Sequence, residues 1–483
     1  MNLNSVLLRG KVSTYFPHIF GSGAFLIVYL WTALRGNFLW ENAEVLFQSL
    51  GKEALTIEPL SSLLNNHIQP PGLNALYAIS YQSPLGFNVT MQAIYFLASL
   101  ATILLIADSL VRLRIRRGIA LATTLIFALL PTTTLYALWP YTTTLVAFFV
   151  GLALWGLSFC SSRSILGLTI WSVGLLGIFS LRSSFIWPIA IATLLLPVFF
   201  LESKIRKILL VAAVGIAPIL LIQFYYFAQF GLLTTSSWGG QSVVKGLISS
   251  GVIGQETLLA AADGDPCLVS IANELEFWND INNLDESCRN SDESNPSDAL
   301  VLRKEVKGDG ETIQFNSTEY LNLSRYWNDL AVRIIRNDPT VIPQMLLGVG
   351  PPPSSLEVSI TPGYLYLPVT PNISSGMPVM SFTRPIGALF PAGALTLILI
   401  TAIASAQRST RKLPSKMFFI SSGVLIVGNI ALTASVEYGE NLRFLVEVYP
   451  ALALAGAVSV AFLWPVKTKE LLTQDLIHPG PEI

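Results

Sequence analysis

Charge is the first thing this chain lacks. Asp, Glu, Lys and Arg make up 12% of its 483 residues, against roughly 25% in a soluble globular domain. A basic surplus is missing too. The formal net charge is -1, which leaves no patch for a phosphate backbone and excludes a nucleic-acid partner. Cysteine is nearly absent: Cys160, Cys267 and Cys288 are too few and too scattered for a zinc or iron–sulfur site. No internal repeat is visible. A signal peptide is also missing, because the first apolar run, 16–34, exceeds an h-region of about 7–15 residues and no small-x-small cleavage site follows it. That run reads as a retained first transmembrane helix.

What the chain has in abundance is apolar length. Hydrophobic residues are 52% of the total, gathered in runs near the roughly 20 residues that a helix needs to cross a bilayer. Candidate spans are 16–34, 90–110, 118–138, 141–159, 164–181, 183–201, 208–227, 385–404, 417–434 and 444–464. The expected fold is an all-α polytopic membrane protein of about ten transmembrane helices. Amphipathic surface helices belong to its first external loop, and a larger mixed loop lies further on. The organisation follows: an N-terminal transmembrane module over 1–230 carrying the first external loop at 35–88, an external segment over 231–384, and a C-terminal module with its tail over 385–483.

Basic residues orient the chain, because short cytoplasmic loops are enriched in Lys and Arg. With Arg9 and Lys11 inside, helix counting also puts Arg112, Arg114, Arg116 and Arg117, then Arg163, then Lys204, Arg206 and Lys207, then Arg408, Arg411, Lys412 and Lys416, and finally Lys467 and Lys469 inside. Every dense basic cluster falls on one side. Both termini are therefore expected in the cytoplasm, of a plasma or inner membrane, or of the endoplasmic reticulum in a eukaryote.

The polar residues with chemical potential then share the opposite face. In the first external loop Leu39, Ala43, Leu46, Leu50 and Ala54 recur at helical spacing, turning Glu41, Glu44 and Gln48 off an apolar stripe at the membrane surface. Pro70-Pro71 suits the start of a second helix, whose buried side would be Leu73, Leu76, Tyr77 and Ser80, with His67 and Gln69 at its entrance. In the long external segment, Tyr320, Leu323, Trp327, Leu330, Ala331 and Ile334 mark an amphipathic helix capped near Thr318 and ended by Asp338-Pro339. The run 341–350 is too short to span and is expected at the interface. Cys267 and Cys288 fall on the oxidising side and are a disulfide candidate. The sequons at Asn88, Asn316, Asn322 and Asn372 also fall outside, where chance accounts for them.

Taken in order, several short motifs resemble the GT-C class of glycosyltransferases, multi-span enzymes that use polyprenyl-phosphate-linked sugars, among them the mannosyltransferases and aminoarabinose transferases. Glu41, Val45 and Ser49 occupy that class's acidic surface-helix pattern, with Glu for Asp and Val for the aromatic. His67-Ile68-Gln69-Pro70-Pro71-Gly72-Leu73 is similar to its Lys-Pro-Pro-hydrophobic motif, with Gln69 at the lysine. The runs from Leu130-Pro131 to Trp139-Pro140-Tyr141 and from Phe230-Gly231 to Trp238-Gly239-Gly240, the Asn337-Asp338-Pro339 step, and Glu440-Asn441-Leu442-Arg443-Phe444 before Pro450 also match the class. The resemblance implies transfer of a hexosyl or pentosyl group at the external face to a lipid, glycan or protein acceptor, by direct inverting displacement.

Such chemistry needs a base for the acceptor proton and cations for the departing phosphate. Glu41 is the candidate base and Glu44 its understudy. Arg182, Arg443 and His67 are candidate phosphate contacts, Gln69 and Glu440 neighbours in the binding motifs, and Trp139, Tyr141 and Trp238 candidates to stack on a sugar or line a lipid groove. Plainer readings stand beside each. The two glutamates suit the solvated face of a surface helix, His67 a loop cap, the two arginines headgroup anchors, Glu440 a salt bridge to Arg443, and the aromatics an interfacial belt. No cofactor is called for, and the spacing of Glu41, Glu44 and His67 does not require a divalent metal. Two other functions compete: a transporter or flippase for lipid-linked saccharides, which the near absence of mid-membrane charge disfavours, and a polysaccharide polymerase or ligase, which would depend on an arginine and a histidine rather than an acid.

Overall fold

In the computed structural model, residues 15–35, 49–139, 141–160, 163–183, 185–273, 288, 299–303, 314–347, 390, 393–404, 416–436 and 445–464 are described. Among them every regular element is helical and no strand occurs. The chain starts with α1 (Phe16–Arg35), then the short surface helices α2 (Lys52–Ile57) and α3 (Pro59–Leu64), and α4 (Gly72–Tyr81). A long α5 (Phe87–Arg112) and the pair α6 (Arg117–Leu129) and α7 (Pro131–Ala137) follow, then α8 (Thr142–Ser158), α9 (Ser164–Leu181), α10 (Trp187–Leu195), α11 (Lys204–Val211) and α12 (Ala217–Phe230). The segment over 231–384, expected outside from the placing of the basic residues, holds α13 (Gly239–Ser249), α14 (Gln255–Ala262), α15 (Pro266–Asn273), α16 (Leu300–Arg303), α17 (Thr318–Asn337) and α18 (Val341–Leu347). The C-terminal helices are α19 (Gly393–Ala404), α20 (Lys416–Val436) and α21 (Tyr449–Leu463).

By length and composition, Phe16–Leu34, Phe87–Arg112, Ser164–Leu181 and the joined α11–α12, Lys204–Phe230, are able to cross a membrane. The α6–α7 pair makes a fifth if taken as one bent span, and five further apolar helices run to 10–17 residues. Proline explains much of the shortening. Pro131 lacks an amide donor and forces Leu130 out of the helical region (ψ 128°), so the expected 118–138 helix breaks there with a 50° bend. Pro188 and Pro197 likewise confine the 183–201 run to α10 and a 3-10 turn, Leu196–Phe200. Pro218 follows a π-helical turn, Ala212–Ile216, that absorbs its missing hydrogen bond.

Two apolar cores organise the described residues. The larger lies in the helix bundle, where Phe25, Tyr77, Tyr95, Trp171, Phe179 and Phe418 are buried. Its tightest seam joins α8 and α9: a β-carbon placed on Gly156 would sit 2.7 Å from the Gly167 carbonyl oxygen, so only glycine allows this approach of backbones. At one end of the bundle, Asp108 of α5 accepts from Trp155 Nε1 of α8 (2.6 Å), pairs with Arg112, and lies 3.9 Å from His18 of α1. The smaller core belongs to the 231–384 segment and gathers Trp238, Val244, Leu247, Leu258, Ile271, Trp327 and Leu330. There α17 buries the stripe expected of it, Tyr320, Leu323, Trp327, Leu330, Ala331 and Ile334. Its cap falls one residue earlier than expected, at Ser317, and the hydroxyl of Thr318, now the first helical residue, donates to Leu302 O. Cys267 and Cys288 are disulfide-bonded, tying α15 to residue 288.

Candidate functional site

The segment from Asn65 to Gly72 passes from one core to the other. Ile68 is buried in the external core, while Leu73 and Tyr77 are buried in the bundle. Local chemistry pins the crossing. Asn316 donates its side-chain amide to Asn65 O (2.7 Å) and accepts at Oδ1 from the His67 amide (2.8 Å). Ser237 N donates to His67 O (2.7 Å), the Ser236 hydroxyl donates to Ile68 O, and the Tyr226 hydroxyl donates to Gln69 O (3.3 Å). A broken strand of backbone groups that no helix could satisfy is thus paired almost residue by residue.

His67 is fully buried. Its Nε2 faces the carbonyl oxygens of Asn316 (3.1 Å) and Ser317 (3.3 Å); carbonyls only accept, so Nε2 carries the proton and Nδ1 accepts from the Ser237 hydroxyl at 3.0 Å. Burial holds the imidazole neutral, pushing its pKa down to about 4 against the opposing pull of the two carbonyls. Both ring nitrogens of His67 are engaged inside the protein, and the residue clamps the loop at 65–72 to residues 237 and 316–317. The same geometry removes Asn316 as a glycan acceptor, since its side chain is fully buried and engaged at both ends.

Gln69 and Arg182 are brought to one place. Gln69 Oε1 accepts weakly from Ser183 Oγ (3.4 Å), and Arg182 caps the end of α9. The two Pro residues lead into α4 so closely against α9 that a β-carbon on Gly72 would lie 2.6 Å from Ser180 O. Arg182 Nε lies 3.2 Å from Glu447 Oε2, both side chains being almost wholly buried. An unpaired charge at such depth would be costly, so each requires the other. The sequence reading passes over Glu447. Its signal was there: it is the single acid inside the apolar 444–464 run, and an acid within a membrane segment is costly enough to mark a partner or a function.

The aromatics divide between the cores. Trp139 stacks on Tyr136 (5.7 Å between centroids) and on Tyr141 (5.4 Å) at the corner between α7 and α8, and Tyr95 donates to Tyr141 O (2.8 Å). Trp238 meets Phe315 edge-on in the external core and stays beside the His67 clamp through Ser237. Glu41, Glu44, Glu440 and Arg443 lie outside the described residues. Among the described residues, no group of three His, Cys, Asp or Glu side chains gathers as a metal site would need.

Helices of this length and apolarity, wrapped around a single bundle core, define an integral membrane protein of all-helical, polytopic class. No protein-family model matches the chain, and no curated protein matches it. Among solved structures it is similar to the archaeal oligosaccharyltransferase AglB from Archaeoglobus fulgidus, determined in complex with an inhibitory peptide and a dolichol-phosphate. The two are 15% identical with a TM-score of 0.42, and the match covers 96% of this chain. This chain spans about half of the other, 52% of its length.

Proposed function

We propose that the chain is a membrane glycosyltransferase that moves a hexosyl or pentosyl group from a polyprenyl-phosphate donor to an acceptor at the external face. The observation that carries the reading is the docking of Gln69-Pro70-Pro71-Gly72 onto the end of α9, where Arg182 is held by Glu447. The motif by which the first loop resembles its class is thereby held against Ser180 and Ser183, the neighbours of Arg182 at the end of α9.

In this reading the acceptor hydroxyl or amine attacks the anomeric carbon while the bond from that carbon to the phosphate oxygen breaks. The acceptor proton passes to the Glu41 carboxylate, or to Glu44 in its place, whose basicity partial desolvation at the membrane surface would raise. The departing phosphate takes the electron pair, and Arg182 and Arg443 stabilise its charge, an arginine fork being suited to two phosphate oxygens. Glu440 supports Arg443, and Gln69 stands where the class has a lysine, so one cation fewer faces the phosphate here. The modular division at 230 and 384, with a lipid, glycan or protein as acceptor, belongs to the same proposal.

The test is transfer from radiolabelled polyprenyl-phosphate sugars by the purified chain in lipid nanodiscs, wild type against Glu41→Gln. Transfer by the wild type and its loss in the variant, with unfolding unchanged, is the expected result. Transfer retained by Glu41→Gln removes Glu41 as base, and no transfer from any such donor to lipid, glycan or peptide acceptors sinks the function.

A further inference from the structure

Inside the bundle, α5, α6, α7, α8 and the turn before α21 enclose a half-open cleft with about 330 Å³ of atom-free space, mouth included. Its polar lining is made almost wholly of hydroxyls: Thr132, Thr133, Thr143 and Thr144, with Tyr136 and Tyr449. These come from two threonine triplets, 132–134 and 142–144, on either side of the α7–α8 corner. Charged side chains do not contribute to the lining.

Two buried threonines of this bundle spend their hydroxyl on a carbonyl one turn back, Thr102 on Ala98 O (2.7 Å) and Thr124 on Ala120 O (2.8 Å). Thr133 donates to Phe127 O (2.9 Å). Thr132 and Thr143 do not: each hydroxyl is buried without a hydrogen-bond partner, and so are those of their neighbours Thr134 and Thr142. A buried hydroxyl left unpaired is unfavourable, and valine would fill the same space without that cost. Thr132 and Thr143 also line the cleft, where a partner arriving from outside the protein can reach their hydroxyls.

We infer that this cleft is a binding site for an uncharged, hydroxyl-bearing ring, namely a neutral sugar of the transferase's substrate; the inference rests on the function proposed above. Its inner part has room for about one water-sized group, so the ring lies across the mouth and one or two of its hydroxyls reach Thr132 and Thr143. An amino sugar or a uronic acid is disfavoured, because its charge would meet hydroxyls alone in a desolvated site. Neutral rings can come from the donor or the acceptor. Val446 lines the cleft one residue before Glu447, so either source would lie close along the chain to the Arg182 partner.

The test uses the full-length protein in nanodiscs and the double variant Thr132→Val plus Thr143→Val, with dissociation constants for four probes. The probes are undecaprenyl phosphate, undecaprenyl-phosphate-mannose, undecaprenyl-phosphate-4-amino-arabinose and dodecyl mannoside. The expected result is a thermal midpoint unchanged or raised, binding of undecaprenyl phosphate unchanged, and binding of one mannose probe weakened about tenfold, the size of one or two lost hydrogen bonds. Weakening confined to the mannosyl donor assigns the cleft to the donor sugar, and weakening confined to dodecyl mannoside assigns it to the acceptor. Unchanged binding of both mannose probes, a wild type that binds neither of them, or a lowered midpoint with unchanged binding, as a structural water would give, overturns the inference. A wild type that binds no undecaprenyl probe yet loses dodecyl mannoside in the double variant sinks the donor reading while keeping the cleft.

Discussion

Single residues carry the junction between loop and bundle, and each makes a measurable claim. Gly72 sits where a β-carbon would meet the Ser180 carbonyl oxygen at 2.6 Å, a backbone atom that cannot swing aside. Gly72→Ala should cost about 1–3 kcal/mol in chemical unfolding and impair transfer more than its stability loss explains, because it pushes Gln69 away from Ser183. Glu447→Ala strands the Arg182 guanidinium at nearly zero exposure and should cost about 3–5 kcal/mol. The double variant Arg182→Met plus Glu447→Met should recover most of that stability while transfer stays lost. Recovery of transfer along with stability would reduce the pair to a structural staple.

His67 gives the same scale a pH dependence. Its folded pKa, about 4, lies below the unfolded value of roughly 6.5. The unfolded chain therefore binds the extra proton first as pH falls, so the His67 contribution is fully present above about pH 6.5 and is lost between there and pH 4. Stability of the external segment should drop by about 2 kcal/mol from pH 6.5 to pH 5, read by amide hydrogen exchange in α13 and α17. His67→Gln should abolish that slope. An identical slope in the variant would assign it to other groups.

Elements show what periodicity reveals and what it hides. The α17 stripe and the buried side of α4 were legible because a 3.6-residue repeat needs no knowledge of the partner. Span 164–181 coincides with α9 for a similar reason: it holds no proline and is bounded by arginines. The bend within the 118–138 run stayed hidden because hydropathy averages over Pro131, whereas the backbone cannot. Glu447 and the Ser237–His67–Asn316 clamp were hidden for another reason. Their partners lie 170 residues and more away along the chain, and no local window reports such a meeting. The disulfide also acts at this scale. Closing a loop of sequence separation 21 should stabilise the external segment by about 3 kcal/mol through the unfolded chain. Cys267→Ser plus Cys288→Ser should loosen α14 and α15 in hydrogen exchange and leave α8 and α9 protected, since the bond lies in the external core alone.

For the whole molecule, everything proposed depends on one sidedness. The bundle core and the external core meet at residues 65–72, and Arg182, Glu447 and the first loop gather at that border. If the basic loops are cytoplasmic, this border faces outward, toward a lipid-linked donor and away from nucleotide sugars. Thr257, exposed on α14, is then expected outside, and Ser409, between Arg408 and Arg411 in the sequence, inside. With Cys160 buried and the other two cysteines joined, Thr257→Cys should react with a membrane-impermeant maleimide on intact cells, and Ser409→Cys only after permeabilisation. The reverse pattern would turn Gln69, Arg182 and the clamp toward the cytoplasm. A transferase using soluble nucleotide sugars would then fit the site better than one drawing its donor from the outer leaflet, and the hydroxyl-lined cleft would have to be approached from the inside.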